Sequence, residues 1–269
     1  MMFTLGRKVS LTYRTNQIIL SLSLIYGIIC YILTTDIAQS AVAAGSLFLS
    51  WALVREIDCR REYAAFVAVG IYMILQLLFP FPFHISLGLI FLMILLMRAI
   101  NQITGKPLSV IDLLSLIGLS GYLTYTTESS VYLMLVILML LVNVRLNKNG
   151  QRNIYLALMV TAMTVVISLL TPLNLDINRL AIEPLALFYY ISLLVYFIYI
   201  LIDKDKESVT DLGGPASVRR LLYAQLFYGL AQVVLIIFGD MSIGNRLVFI
   251  SSMLGVVIYG VIDQYKKNK

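Results

Sequence analysis

The sequence has almost none of the residues that metal sites and disulfide frameworks need. It contains one histidine, His84, and two cysteines, Cys30 and Cys59, in 269 residues. A single histidine excludes zinc and di-iron centres built from several histidines. Cys30 lies in an apolar stretch and Cys59 in a basic loop, so no disulfide between them is expected. We predict no metal, no cofactor and no catalytic residue of these kinds.

Charged residues are also scarce. They make up 13% of the chain, against 60% hydrophobic residues and a mean hydropathy of +0.92. A soluble domain carries roughly a quarter charged residues, so most of this surface must face lipid rather than water. The longest polar interval, Asp203 to Arg220, is too short for a soluble module. Residues 1–269 are therefore predicted to form a single transmembrane domain with the lipid bilayer as its main partner.

Ten segments have the apolar length that a membrane-crossing helix requires, about 20 residues each. The first follows Arg7, Lys8 and Arg14, and its length predicts an uncleaved helix rather than a signal peptide. The sequence thus predicts an all-α, polytopic helical bundle of about ten transmembrane helices. The predicted spans are 18–34, 37–54, 64–81, 83–99, 108–126, 130–146, 154–173, 182–202, 219–238 and 245–264.

The third and fourth spans allow two interpretations. They meet at Pro80 and Pro82, whose missing N–H groups and fixed φ angles enforce a tight turn. Residues 64–99 are predicted to form two full spans, and the alternative is a re-entrant hairpin that does not cross the membrane.

The distribution of basic residues orients the bundle. With the N-terminus inside, every lysine and arginine except Arg179 and Arg246 falls on the inner side, out of 20 in the chain. This is the bias that the positive-inside rule describes. We predict a multi-pass protein of the cell (cytoplasmic) membrane with both termini in the cytosol. The basic net charge is then a topology signal, and no nucleic-acid partner is expected.

Three helix boundaries carry local signals. The second helix is expected to continue past Arg55 and to break near Asp58 and Cys59. Glu183-Pro184 is expected to open a helix, because proline fits the first helical turn. Gly213-Gly214-Pro215 is predicted to form a linker before a helix capped by Ser217.

Polar side chains recur at spacings of three and four residues in several predicted helices, whereas 87–97 and 131–142 are apolar all round. We expect the two apolar segments to face lipid and the polar faces to point inward. Such faces either join neighbouring helices by hydrogen bonds or line a polar path for a substrate. The candidates for a substrate path are Asp112, Tyr122, Tyr196, Gln225, Tyr228 and Gln232.

Asp112 is the best single candidate, because its short carboxylate lies about 7–8 Å along a helix that begins near Pro107. It could belong to a cytoplasmic polar cluster with Arg55, Asp58, Arg98 and Asn101, if their helices are neighbours. The alternatives are that Asp112 accepts local backbone and loop hydrogen bonds, and that the charges around Arg55 pair among themselves in solvent.

Sequence motifs favour no reaction. There is no phosphate-binding loop, nucleophile elbow or metalloprotease motif. The ten-helix plan with short loops is similar to that of drug/metabolite transporters built from inverted five-helix halves, a likeness of helix count. It makes a secondary transporter or permease for a small metabolite the favoured function.

Two alternatives stay open. One is a membrane enzyme acting on a phosphorylated lipid or isoprenoid at the cytoplasmic interface, although the balance leans away from an enzyme. The other is an accessory or assembly subunit without a catalytic role. The oligomeric state is not predicted.

Overall fold

The computed structural model describes residues 3–7, 9–79, 84–147, 183–203, 207–238 and 241–267, together with Tyr155, Met159 and Ala162. Helix accounts for 78% of these residues, and no strand occurs among them. The only strand-like feature in the described part is an isolated bridge between Val209 and Pro215. The predicted all-α class is confirmed.

Nine helices lie within the described ranges. They overlap nine of the ten predicted spans, while the Pro80–Pro82 turn and all of 154–173 except Tyr155, Met159 and Ala162 lie outside the described residues. The helices are α1 (Arg14–Thr34), α2 (Ile37–Ile57), α3 (Ala64–Leu78), α4 (Leu87–Asn101), α5 (Val110–Thr127), α6 (Val131–Leu146), α7 (Pro184–Ile202), α8 (Val218–Phe238) and α9 (Ile243–Lys267).

Six of these helices are long and apolar enough to cross a membrane by length and composition: α1, α2, α5, α7, α8 and α9. The shorter α3, α4 and α6 are also apolar. A helix of 15 residues such as α3 extends only about 22 Å, less than the roughly 30 Å hydrocarbon core. A helical, multi-pass membrane protein is therefore supported, and the count of ten spans stays a prediction.

The three predicted helix boundaries are confirmed. α2 passes Arg55, and Asp58 is its C-cap residue. α7 begins with Pro184 directly after Glu183. The hydroxyl of Ser217 accepts a 3.4 Å hydrogen bond from the N–H of Arg220 at the start of α8. These ends were predictable because each depends on residues within one turn of the boundary.

The chain divides into two compact units. The terminal unit comprises Gly6–Phe91 and Ser242–Lys269, and so contains α1, α2, α3, the first turn of α4, and α9. The middle unit comprises Met1–Leu5 and Leu92–Met241, with the rest of α4, α5, α6, α7 and α8. Whether both belong to one transmembrane domain stays a prediction.

Small residues let the helices of the terminal unit approach closely. α3 packs on α9, and α2 packs on both α3 and α1. A Cβ atom on Gly255 of α9 would lie 2.5 Å from the Cβ of Ala68 and 2.8 Å from its backbone N and Cα. Gly27 of α1 similarly faces Ala44 of α2, at 3.0 Å. Close approach at small residues is the usual basis of helix association in lipid.

α4 corrects one sequence prediction. Its apolar side chains were expected to face lipid, but nearly all of those from Leu89 to Ile100 are buried in the protein, and only Phe91 is strongly exposed. A helix that is apolar all round suits either a protein core or lipid, so composition alone could not distinguish them. α6 is intermediate, because Leu135, Val136 and Met139 are buried on one of its faces.

Candidate functional site

The polar faces of α7 and α8 meet in the middle unit. The hydroxyl of Tyr189 donates a 2.6 Å hydrogen bond to Oε1 of Gln232. Both side chains are buried, with Tyr189 1% and Gln232 0% exposed. Their helices pack directly on each other. This places the predicted candidate Gln232 inside the protein, in a contact between two membrane helices.

A second contact between these helices involves three more of the predicted residues. The hydroxyl of Tyr196 donates to the backbone carbonyl oxygen of Gln225 at 3.0 Å. The rings of Tyr196 and Tyr228 meet edge to face with centroids 5.6 Å apart. All three side chains are buried. The structure therefore brings four of the six path candidates together on one helix pair.

The α7–α8 contact is close-packed around Gly229. A Cβ atom there would lie 2.5 Å from the ring carbon Cζ of Phe197. Glycine is the one residue that leaves space for the aromatic ring at this point of α8. The polar groups on either side of it are therefore held in a tight interface by helix packing.

The amide nitrogen of Gln232 has no hydrogen-bond partner among the described residues. Its Oε1 accepts from Tyr189, so within the described part of the chain Nε2 is a buried donor without an acceptor. Leaving such a group unpaired costs about 1–3 kcal/mol. A water molecule or a solute with an acceptor oxygen would remove this cost.

Tyr122 does not belong to this group. It is 64% exposed at the protein surface, and Tyr125 is 85% exposed. The buried face of α5 instead contains Asp112, Leu116, Ser120 and Leu123. At 100° per residue, Tyr122 lies about 120° around the helix from the middle of that face. Placing Tyr122 on the inward polar face was wrong, and a part for Tyr122 in a substrate path stays a prediction.

Asp112 organises the start of α5. Its carboxylate accepts hydrogen bonds from the N–H and the hydroxyl of Ser109 at 2.7 and 2.8 Å, which completes a capping box. It also accepts from the N–H of Thr4 at 2.8 Å, from the Thr4 hydroxyl, and from the N–H of Leu5 at 3.2 Å. Five donors satisfy this fully buried carboxylate without a cation. The bonds from Ser109 match the alternative in which Asp112 accepts local hydrogen bonds. Thr4 and Leu5 are additional donors from a distant part of the chain.

Asp112→Ala is expected to lower the free energy of unfolding by about 2–3 kcal/mol, because buried N–H groups of Thr4 and Leu5 lose their acceptor. Trypsin should then cleave after Arg7 several-fold faster. The matched control is Asp36→Ala, which removes a helix cap that accepts from Ala38 and Gln39 and should cost about 1 kcal/mol. Equal cleavage after Arg7 in both variants would contradict the role assigned to Asp112.

Arg98 and Asn101 lie at the end of α4, and Arg98 also contacts the N-terminal segment. Nη1 of Arg98 donates to the carbonyl oxygen of Leu5 at 3.1 Å. Oδ1 of Asn101 accepts from the N–H of Ile103 at 3.0 Å. Asp112, Arg98 and Asn101 are thus all in the middle unit, and Asp112 and Arg98 share the Thr4–Leu5 segment.

Arg55 and Asp58, the other members of the predicted cluster, lie in the terminal unit. Arg55 pairs with Glu62 at 2.6 Å and lies 5.8 Å above the ring of Trp51. Asp58 pairs with Arg61 at 3.1 Å, as its spacing predicts. That Arg55 and Asp58 form one site with Arg98, Asn101 and Asp112 stays a prediction.

Arg61 also contacts Asp263, a partner that the sequence did not indicate. It is 4% exposed, and its Nε donates to Oδ2 of Asp263 at 3.0 Å. Nη2 of Arg60 donates to the same oxygen at 3.0 Å. Asp263 is more than 200 positions away in the chain, so only its periodic position on the last helix could have hinted at this contact.

Cys59 is poorly suited to be a nucleophile. Burial raises the pKa of its thiol, the carboxylates of Glu56 and Asp58 raise it further, and Arg7 and Arg55 oppose these effects only in part. The thiol therefore stays protonated at neutral pH, and the protonated form is unreactive. Among the described residues, no group of three or more His, Cys, Asp or Glu side chains could hold a metal ion.

Arg220 was also missed. Its guanidinium donates to the carbonyl oxygen of Ile100 at 3.1 Å, to Oδ1 of Asn143 at 3.3 Å and to Oδ1 of Asn147 at 2.9 Å. It thereby ties the start of α8 to the ends of α4 and α6. The i, i+4 spacing of Asn143 and Asn147 at the end of an apolar helix was the available signal.

A second buried polar group lies in the terminal unit. Ser46 of α2 contacts the hydroxyl of Tyr72 of α3 at 2.8 Å, and Gln76 donates to that hydroxyl at 3.1 Å. The three side chains are at most 6% exposed. The i, i+4 spacing of Tyr72 and Gln76 could have identified this group.

Comparison with known proteins gives no family for the chain. No family model matches it, and no curated protein or solved structure matches it either. What the chain does must therefore be inferred from the contacts of its own residues.

Proposed function

We propose that this chain is a multi-pass protein of the cytoplasmic membrane that crosses the bilayer ten times, with both termini in the cytosol. Six long apolar helices support the multi-pass part. The concentration of lysine and arginine in alternate loops supports the orientation and the count.

We further propose that it is a permease for a small uncharged solute, and that the solute binds to the amide of Gln232, beside the α7–α8 contact. The observation that carries this proposal is the amide nitrogen of Gln232, a fully buried donor with no acceptor among the described residues. Polar groups in the membrane interior are costly, and they are commonly found where a substrate passes.

The chemistry around Gln232 defines the class of solute. The amide N–H needs an acceptor oxygen, and the same pair of helices carries the hydroxyls and aromatic rings of Tyr189, Tyr196 and Tyr228. α7 contains no ionisable side chain other than tyrosine, and α8 has only Arg219 and Arg220, at its start. A charged solute would have no counter-charge on these helices. We infer facilitated movement of a neutral, oxygen-bearing molecule such as a polyol or an amide.

Flux in proteoliposomes tests this proposal. Purified protein would be reconstituted and assayed for uptake of glycerol, urea and glucose. Gln232→Leu is expected to reduce the flux of the transported solute at least tenfold, because the solute loses its donor inside the membrane. The matched control is Ser252→Ala in α9, which removes an equally buried hydroxyl bonded to its own helix and should leave the flux unchanged. Equal flux through wild type and Gln232→Leu would contradict the proposal.

The direct bond between Tyr189 and Gln232 favours a second candidate, an accessory subunit in which these groups only hold helices together. In that case Gln232→Leu changes thermal stability in detergent and nothing else, and no tested solute crosses faster than in empty liposomes. The enzyme alternative is weakened by the five hydrogen bonds that already occupy Asp112. It would regain support if Asp112→Asn folded normally and a phosphorylated lipid precursor accumulated in cells.

A further inference from the structure

The terminal unit contains a chain of hydrogen bonds whose direction can be assigned. The hydroxyl of Ser46 donates to the carbonyl oxygen of Ala43 at 2.8 Å, which uses its one proton. The hydroxyl of Tyr72, 2.8 Å from Ser46, must then be the donor in their contact. Tyr72 consequently accepts from Nε2 of Gln76 at 3.1 Å. Because the Tyr72 hydroxyl has given its proton to Ser46, the atom of Gln76 that faces it must be the donor Nε2 and not the oxygen Oε1.

This order leaves Oε1 of Gln76 as an acceptor. No hydrogen-bond donor reaches it among the described residues, although the side chain is only 6% exposed. A buried amide oxygen without a donor is rare in folded proteins, where such groups are bonded to protein or to ordered water.

α1 contains a second buried polar group for which the described residues offer no partner. The hydroxyl of Ser23 is also buried, at 6% exposure, and lacks a partner among the described residues. Ser23 and Cys30 lie seven residues apart, on one face of the helix. The contact of Gly27 with Ala44 places this part of α1 beside the middle of α2.

We infer that the terminal unit binds ordered water at Oε1 of Gln76 in α3 and at the hydroxyl of Ser23 in α1. Water can donate to an amide oxygen and can both donate to and accept from a hydroxyl, so it fits both groups. Neither group is charged, and no ionised side chain belongs to this set, so an ion has no basis here. The inference does not depend on the permease proposal, whose site is in the middle unit.

Radiolytic footprinting in lipid nanodiscs tests for this water. Hydroxyl radicals formed from a bound water oxidise adjacent side chains that bulk solvent cannot reach, and ¹⁸O-labelled water identifies the source of the oxygen. Tyr72, which is 0% exposed, is expected to incorporate ¹⁸O at least fivefold faster than Phe249. Phe249 is an equally buried aromatic of α9 in the same unit.

Gln76→Leu is expected to reduce the labelling of Tyr72 to the level of Phe249, because the water loses its acceptor. Ser50→Ala is the matched control, because it removes another buried hydroxyl of α2, which contacts Ser251 of α9, and leaves the bonds of Tyr72 and Gln76 intact, so the labelling of Tyr72 should persist. Should Gln76→Leu fail to fold, wild type and Ser50→Ala decide alone. Labelling of Tyr72 no faster than that of Phe249 in the wild type would overturn the inference, whatever the flux assays give.

Discussion

Replacing Gly255 with leucine is expected to destabilise the terminal unit by about 3 kcal/mol or more, the upper range for overpacking. Even a Cβ atom would lie 2.5 Å from the Cβ of Ala68 and 2.8 Å from its backbone. A backbone cannot move aside as the end of a flexible side chain can, so α3 and α9 must separate. Gly255→Ala should already cost about 1–3 kcal/mol.

The measurement is unfolding by SDS titration in mixed micelles. Trp51, the single tryptophan of the chain, lies in the terminal unit and reports on it by fluorescence. Gly70→Ala is the matched control, because Gly70 is in α3 and nothing lies within 4 Å of a Cβ there. Its effect should stay within about 1 kcal/mol, the difference in helix propensity. A Gly255→Ala variant as stable as Gly70→Ala would show that α3 and α9 do not pack as described.

Removing the guanidinium of Arg61 should be the most damaging change to a charge in the chain. Arg61→Ala leaves the buried carboxylate of Asp58 without its 3.1 Å partner and deprives Asp263 of one of its donors. Removing one member of a buried ion pair typically costs about 3–5 kcal/mol, because the remaining charge stays in a poorly solvated site. The same SDS titration would measure this loss.

Arg55→Ala is the control for Arg61→Ala. Arg55 is also paired, but its partner Glu62 has a side chain that is 40% exposed, against 5% for Asp58. Water can solvate Glu62 after the change, so the expected cost is below about 1 kcal/mol. If Arg61→Ala cost no more than Arg55→Ala, the network around Arg61 would have to be solvated and not buried.

Helices were the part of the fold that the sequence predicted well. Crossing lipid requires long apolar segments, and these are visible without any knowledge of packing. Local residues also determine helix ends, as Asp58, Pro184 and Ser217 illustrate. For the same reason Asp112 could be recognised as important from its position in the first turn of α5.

Which face of each helix is buried was harder to predict. In water, the polar face of a helix marks its outside, but in lipid both the core and the surface are apolar. α4 therefore could not be recognised as buried, and Tyr122 could be assigned to the wrong face of α5. Gln225, Tyr228 and Gln232 were easier to place, because their amides and hydroxyls need partners that lipid does not supply.

Long-range contacts explain most of what was missed in the candidate sites. Thr4 and Asp112 are 108 positions apart, and Arg61 and Asp263 are 202 apart. Such pairs depend on which helices become neighbours, and a single sequence does not specify this. The sequence offered Arg98, Arg55 or local donors as partners of Asp112, but it did not indicate the N–H groups of Thr4 and Leu5, which belong to a distant segment.

Cysteine accessibility in intact cells tests the proposed ten-span, cytosol-facing topology most directly. In a background without Cys30 and Cys59, single cysteines would replace Ser129, Asn178 and Glu207, and a membrane-impermeant maleimide would be added. Labelling of Ser129→Cys and Asn178→Cys in intact cells, with Glu207→Cys labelled only after permeabilisation, is the predicted result. Labelling of Glu207→Cys in intact cells, or protection of Asn178→Cys, would contradict ten spans with both termini inside.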